Sequence, residues 1–387
     1  MRPGRASRWF VTASALFFVG FHAAMAVAAP RRIVVTLGLY GFVLHVLFGK
    51  AYALVPSYFD RDLAWESGPA VQFPLSVLGT TGLALAPLGP PWLRPVGTTL
   101  WAGGVAVFLG TLGWTIRDNV TGSATGTGGA NAHREPVDRT ANVAVPIALG
   151  YLAFAAGGAL ATAVGFESIL PQQLSHLLAA GTAALFVFGV GFRLFPRFLV
   201  AEAPRPVVTV VIAAGAGGPA LLAFGLFDPE LLLVGGVIEA VAVVGFVLSY
   251  IVLFLRSERR RVGFYAVLLA VVAGVVGIGL GLVLAVTGRS PALVTAHYRA
   301  MLAGFLGLTV VGAAFQFYPP SVGVWPYADD RTALVSIGLL GGGLGMQLIG
   351  LIGRFGWATS VGTAAGALGA LLYTYLLLAA FARRWKQ

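Results

Sequence analysis

Apolar residues gather along the chain in runs of about 20, separated by short stretches where Gly, Pro and charged residues collect. A helical run of that length crosses roughly 30 Å of hydrocarbon. Twelve such runs are read, at about 8–29, 33–55, 70–88, 94–116, 141–165, 170–195, 206–226, 230–255, 262–286, 292–318, 331–352 and 357–382. The run at 70–88 is among the shortest. The first run is too long, and too plainly followed by further runs, to be a removed signal peptide. The pattern predicts an all-α integral membrane protein, a single membrane domain over 1–387 with twelve transmembrane helices.

Three of the runs carry one spacing. GFVLHVLFGKAYALVP at 41–56, GTAALFVFGVGFRLFP at 181–196 and GFLGLTVVGAAFQFYP at 304–319 share it. Each has a Gly, a second Gly eight residues on, an aromatic three further and a Pro four beyond that. The positions are Gly41, Gly49, Tyr52 and Pro56; Gly181, Gly189, Phe192 and Pro196; Gly304, Gly312, Phe315 and Pro319. A spacing kept three times at the close of an apolar run reads as an internal repeat. It falls in the second, sixth and tenth spans, so the chain divides into three pseudo-repeated sets of four, 1–116, 141–255 and 262–382. Between the first two lies 117–140, rich in Gly and Thr and predicted to be a flexible cytoplasmic loop. His133 lies there, and a solvated loop histidine accounts for it.

Composition agrees with the pattern: 58% hydrophobic and 10% charged, with mean hydropathy +0.88. The net charge of +11 raises the question of nucleic acid, and its distribution answers it. With the N-terminus inside, the two termini, the even connections and the span ends beside them hold 18 of the 25 basic residues, the odd connections and the span ends beside them six, and Lys50 lies within a span. This is the positive-inside bias of a multi-pass protein of the cell membrane with both termini cytoplasmic. The partner it implies is the lipid bilayer, not nucleic acid. Zero cysteines exclude disulfides, thiolate ligands and iron–sulfur clusters.

Against this apolar background the ionisable residues within spans stand out, because they are costly there and face the protein interior. His22 lies in the first span, His45 in the second, His176 in the sixth and His297 in the tenth. His176 follows Pro171 by five residues and His297 follows Pro291 by six, which puts both about 8–9 Å below the start of their helices, in the outer third of the membrane. His176 precedes Pro196 by 20 residues and His297 precedes Pro319 by 22. Two residues turn a helix by about 200°, so positions 22 and 20 look into different spaces. Position 22 shares a face with the first Gly of the repeat, two turns on, so Gly304 is expected to leave room for a flat cofactor against His297. His45, 11 residues before Pro56, lies about 16 Å deeper. Neutral imidazole is a ligand for heme iron or copper; the plain alternative is a hydrogen bond to a neighbouring helix.

These residues carry a resemblance. A helix with His297, a basic residue at 299, spaced Gly, an aromatic and Pro resembles the His-x-His tenth helix of the heme-copper oxidase catalytic subunit I. It is similar also to the NnrS family of heme- and copper-containing membrane proteins of the nitric-oxide response. The close of the eleventh span, Gln347, Gly350, Gly353 and Arg354, resembles the oxidase pattern in which an arginine pair holds heme propionates, with one arginine of the two. GKAYALVP at the end of the second span is similar to that family's second helix. The resemblance covers the whole chain as architecture and about sixty residues as motif. It implies that His297 is the ligand of the active-site heme. It also marks departures: the low-spin heme position holds Arg299, and the second span offers only Val34 and Thr36 at the two ligand offsets. His176 resembles the copper histidine of the sixth helix, but the seventh span lacks the histidine pair that completes a copper site, and Leu177 to Ala180 offer no cross-linking Tyr. The expectation is one heme near the outer face on His297, with His176 or His22 opposite and Arg299 and Arg354 against the propionates. The copper ligand set is incomplete, so the chain is not a complete oxygen reductase. A heme oxidoreductase, or a protein handling a small gas such as nitric oxide, is what the resemblance implies. A second expectation, from another class, is a heme-free transporter or scaffold that uses Glu239, the mid-span carboxylate of the eighth run, as a proton or cation site.

Overall fold

The structure is a computed structural model that describes residues 3–166, 169–288 and 290–385. Those residues form helices and connecting turns, with no strand among them. The helices are α1 (Pro3–Ala26), α2 (Arg31–Tyr58), α3 (Gly68–Leu85), α4 (Leu93–Ile116), the short α5 (Glu135–Asn142), α6 (Ala144–Ala163), α7 (Pro171–Leu199), α8 (Arg205–Phe224), α9 (Pro229–Arg256), α10 (Val262–Thr287), α11 (Pro291–Phe317), α12 (Asp330–Gly353) and α13 (Gly356–Trp385). Eleven helical segments among the described residues are long and apolar enough to cross a membrane. The chain is therefore a multi-pass all-α membrane protein, with a lipid bilayer as its surroundings.

α3 is a helix of 18 residues but falls outside those eleven. Its sequence explains why. Gln72, Ser76 and Thr80 recur at helical spacing and are all fully buried, so a polar stripe faces its neighbours and lowers the hydropathy of an already short segment. α4 lies close along it: a Cβ built on Gly104 would meet the Ser76 hydroxyl at 2.6 Å.

The three helices that carry the Gly–Gly–aromatic–Pro spacing share a backbone feature that hydropathy does not show. Each opens as an α-helix, widens into a π-helical stretch and closes as an α-helix. The wide stretches are Thr36–Val43, Leu177–Ala184 and Ala300–Leu308. Hydrogen bonds from i to i+5 are rare over so many residues and recur at functional positions.

Two compact units make up the chain, Met1–Val11 with Leu44–Arg256, and Thr12–Val43 with Ser257–Gln387. In the first, α3 pairs with α4 and α8 with α9; in the second, α10 packs along α11 and α12 along α13.

The connection 117–140 is a folded segment, where a flexible loop was expected. It carries a 3₁₀ turn at Gly129–Arg134 and enters α5 at Glu135. The reason is chemical. Asn119 donates to the carbonyls of Phe59 (2.9 Å) and Ala124 (2.7 Å), and Thr127 and Asp138 are engaged as described below. A Gly/Thr-rich composition allows flexibility, but these polar groups have buried partners to bind.

α12 begins with a capping interaction that yields a pH-dependent expectation. The Asp329 carboxylate accepts the backbone N–H of Thr332 at 2.8 Å. That bond holds its pKa below the ordinary carboxylate value. A group depressed in the folded state stabilises above its unfolded pKa, and the contribution is lost as pH falls through the folded value. Protection of the Thr332 amide, taken against its intrinsic exchange rate at each pH, should therefore fall on acidification in the native protein. In Asp329→Ala that protection should be low at every pH. Equal exchange in the two proteins at neutral pH would dismiss the cap.

Candidate functional site

The sequence-predicted residues fall in both units. In the second unit, His297 lies on the second turn of α11, ahead of the wide stretch. The ring N–H at Nδ1 donates to the carbonyl of Gly277 on α10 at 2.8 Å. A carbonyl only accepts, so Nδ1 carries the hydrogen and, in the neutral ring, Nε2 carries the lone pair. This is the arrangement by which proteins orient a metal-ligating histidine, with the outer nitrogen pinned by a backbone oxygen. Gly281, one turn along α10, lets the Nδ1–Cε1 edge of the ring approach that helix; a Cβ there would meet Cε1 at 3.1 Å. On this observation His297 fits an iron ligand.

Gly304 does not keep the space expected for a porphyrin. A Cβ built on it would meet Ala273 of α10 at 2.5 Å and Leu344 of α12 at 2.8 Å. Its missing side chain is used for helix packing. The expectation assumed two α-helical turns between positions 297 and 304. The chain is instead π-helical from Ala300, which changes the phase between them.

Arg299 also parts from His297. It is 8% exposed, and its Nη1 donates to Oε1 of Gln347 on α12 at 3.0 Å, whereas His297 bonds to α10. Two residues along an α-helix turn the side chain to another face, so Arg299 is not a propionate partner on the face of His297. Gln347 in turn donates from Nε2 to the carbonyl of Gly362 on α13 at 3.0 Å, which fixes its amide. Arg354 lies at the C-terminal cap of α12 in the left-handed region (φ 60°), with its N–H bonded to the Gly350 carbonyl and its side chain exposed. It is a cation at the helix end, free to meet a charged group there.

His22 is 2% exposed and fills the interior of the same unit. Phe18 and Phe21 pack on its ring, with centroids at 4.7 and 5.1 Å, and neither ring nitrogen has a hydrogen-bond partner among the described residues.

In the first unit, His176 is half-buried on the second turn of α7. Its Nδ1–H donates to the Gln172 carbonyl one turn back at 2.9 Å, so it has the same tautomer as His297. His45 is fully buried, with Phe10 and Phe48 around it. Glu239 is 2% exposed in the middle of α9, Oε2 has no hydrogen-bond partner, and a Cβ on Gly218 of α8 would meet that oxygen at 2.7 Å. Nearby, the Tyr151 hydroxyl donates to the Ala216 carbonyl at 2.6 Å. Among the described residues no three His, Cys, Asp or Glu side chains come together as a metal site.

The largest polar assembly escaped the sequence reading. Arg193 of α7 is 3% exposed. Its Nη1 donates to the Tyr58 carbonyl (2.8 Å) and to Oδ1 of Asn142 (2.7 Å), and its Nη2 to the Thr125 carbonyl (2.9 Å) and the Thr127 hydroxyl (3.2 Å). The guanidinium carbon lies 3.9 Å from the centroid of the Tyr58 ring. Arg197, one turn on, donates through both Nη atoms to the Asp138 carboxylate, which also lies 3.5 Å from Arg193. The one signal in the sequence is the pair of arginines either side of Pro196 in an otherwise apolar helix end. With its donors mostly matched, this assembly anchors the 117–142 segment. No family model matches the chain, and no curated protein is similar to it.

Proposed function

We propose that the chain is a divergent relative of the heme-copper oxidase catalytic subunit, of NnrS-like character, that holds one heme on His297 and handles a small gas such as nitric oxide. The carrying observation is the 2.8 Å bond from His297 Nδ1 to the Gly277 carbonyl, which fixes the tautomer with the lone pair of the neutral ring on Nε2. Bound there, the iron would supply a coordination position for a diatomic gas. His297 orients the group through α10, and exposed Arg354 at the end of α12 is the cation for its propionates.

The architecture belongs to the same reading. Counting α3 gives twelve spans in three sets of four. The π-helical stretches begin 20, 19 and 19 residues before Pro56, Pro196 and Pro319, from starts at 36, 177 and 300, and this placement to within one residue supports the repeat. The membrane is the cell membrane, with both termini and the 117–140 segment cytoplasmic, on the grounds of charge distribution. A reporter inserted after Gly126 should then be active only in its cytoplasmic form. Activity of a periplasmic or extracellular reporter at that position would reverse every depth given above.

A second reading is supported by Glu239, whose buried Oε2 has no hydrogen-bond partner. In that reading the chain is a heme-free transporter or scaffold, and Glu239 exchanges a proton or cation. The two separate on one measurement. Purified protein, expressed with heme supplied, should show a Soret band under the first reading. A colourless protein under those conditions would discard it in favour of the second.

A further inference from the structure

Arg299 presents a charge problem within the second unit. A guanidinium stays protonated at any pH a protein meets, so burial does not neutralise it. A buried cation requires an opposite charge or a full set of acceptors. Arg299 has one neutral acceptor, Oε1 of Gln347, its Nε has no hydrogen-bond partner, and no carboxylate among the described residues pairs with it. Gln347 cannot turn away, because its Nε2 is committed to the Gly362 carbonyl.

A second, independent group converges on the same place from α1. His22 is buried with both ring nitrogens unpartnered. Its Nδ1 faces Gly366 of α13, where a Cβ would stand 2.7 Å from that nitrogen and 3.5 Å from Nε2 of Gln347. Arg299 is close enough to act on the His22 ring electrostatically. A cation lacking a counter-charge and an imidazole lacking a partner therefore meet at one buried place, beside Gln347 and Gly366. A neutral imidazole offers one N–H, and a protonated one offers two.

We infer that Arg299, His22 and Gln347 form a binding site for a small monovalent inorganic anion, such as a halide or nitrite. Phe18, Phe21 and Gly366 crowd the imidazole, so the inferred occupant is one of a few atoms. The anion accepts from the Arg299 guanidinium and from a ring N–H of His22, which supplies what both lack. The site does not depend on heme at His297, because that ring is bonded to α10 and Arg299 to α12.

The test uses full-length purified protein exchanged into gluconate, with bromide as probe. Crystals of the wild type soaked in bromide should show an anomalous peak within contact distance of the Arg299 guanidinium. In solution, chloride-35 line broadening should saturate in the wild type, and bromide and nitrite should compete for it; sulfate, larger and divalent, should compete poorly. Arg299→Gln and His22→Phe should lose the saturable component, and Arg299→Lys should restore part of it. A bromide map with no peak at Arg299 overturns the inference, as does broadening unchanged in both variants. Loss of the bromide peak on heme loading also overturns it, and assigns Arg299 to a propionate. The diffraction arm uses the wild type alone, so a variant that fails to fold does not stall the test.

Discussion

Replacing His297 by Ala should abolish the heme binding proposed for this protein. The substitution removes the proposed Fe–N bond together with the Gly277-pinned ring that positions it. The Soret band should fall to the level of protein expressed without heme, at unchanged yield and unchanged elution of the folded protein. His297→Gly should recover the band when imidazole is added, because free imidazole can enter the vacated position. His45→Ala should keep the wild-type spectrum, since His45 sits fully buried among Phe10 and Phe48. His133→Ala should keep it too, since His133 lies 3.2 Å from exposed Glu202. A full Soret band in His297→Ala would remove His297 from the site, whatever else binds heme.

The second large effect is on stability, and it concerns Asp138. Its carboxylate is 1% exposed and stands between Arg193 and Arg197. Asp138→Asn would leave the buried Arg193 guanidinium and the part-exposed Arg197 guanidinium facing a neutral amide. Breaking a buried pair in this way costs about 3–5 kcal/mol. Glu135–Arg139, four residues apart and more than two-fifths exposed, serves as the control. An exposed pair of that kind contributes about 0.3–0.5 kcal/mol. Thermal unfolding in detergent should therefore drop sharply for Asp138→Asn and barely move for Glu135→Gln. The double variant Asp138→Asn with Arg197→Met should recover part of the loss by removing one stranded charge. Equal melting of Asp138→Asn and Glu135→Gln would show that the network contributes no more than a surface contact.

Much of the helical layout was legible from the apolar runs, because a membrane span must satisfy its backbone internally and must be long. The run at 33–55 is the helix Arg31–Tyr58, and that at 331–352 is Asp330–Gly353, so the ends moved by a few residues. The wide stretches were not legible. Hydropathy records which residues are apolar, not whether the backbone bonds close at i+4 or i+5, and the face assigned to Gly304 failed for that reason. The Arg193 network was hidden by distance along the chain. The residue that accepts from it on α2, Tyr58, is 135 positions away, and Asn142 is 51 away. No local spacing announces such partners; only the fold brings them together. The separation of His297 from Arg299 was legible, because it follows from two residues of helical rotation. The orphaned state of His22 was not, because it depends on what α11, α12 and α13 fail to offer it.

The wide stretch at Ala300–Leu308 also makes residue count into a rotational setting. Residues on either side of it belong to one continuous helix, yet their angular relation depends on how many residues the stretch absorbs. Deleting a single residue there, with the wide stretch kept, turns the segment ahead of it relative to the segment behind. Pro291 to Arg299 would swing as a body, carrying His297 off the Gly277 carbonyl and Arg299 off Gln347 in one step. A lineage could thus exchange which side chain looks into which space by losing one codon, with no substitution at either residue. Insertions and deletions, more than point changes, are the events through which helices of this kind would diverge in chemistry while keeping their place in the membrane.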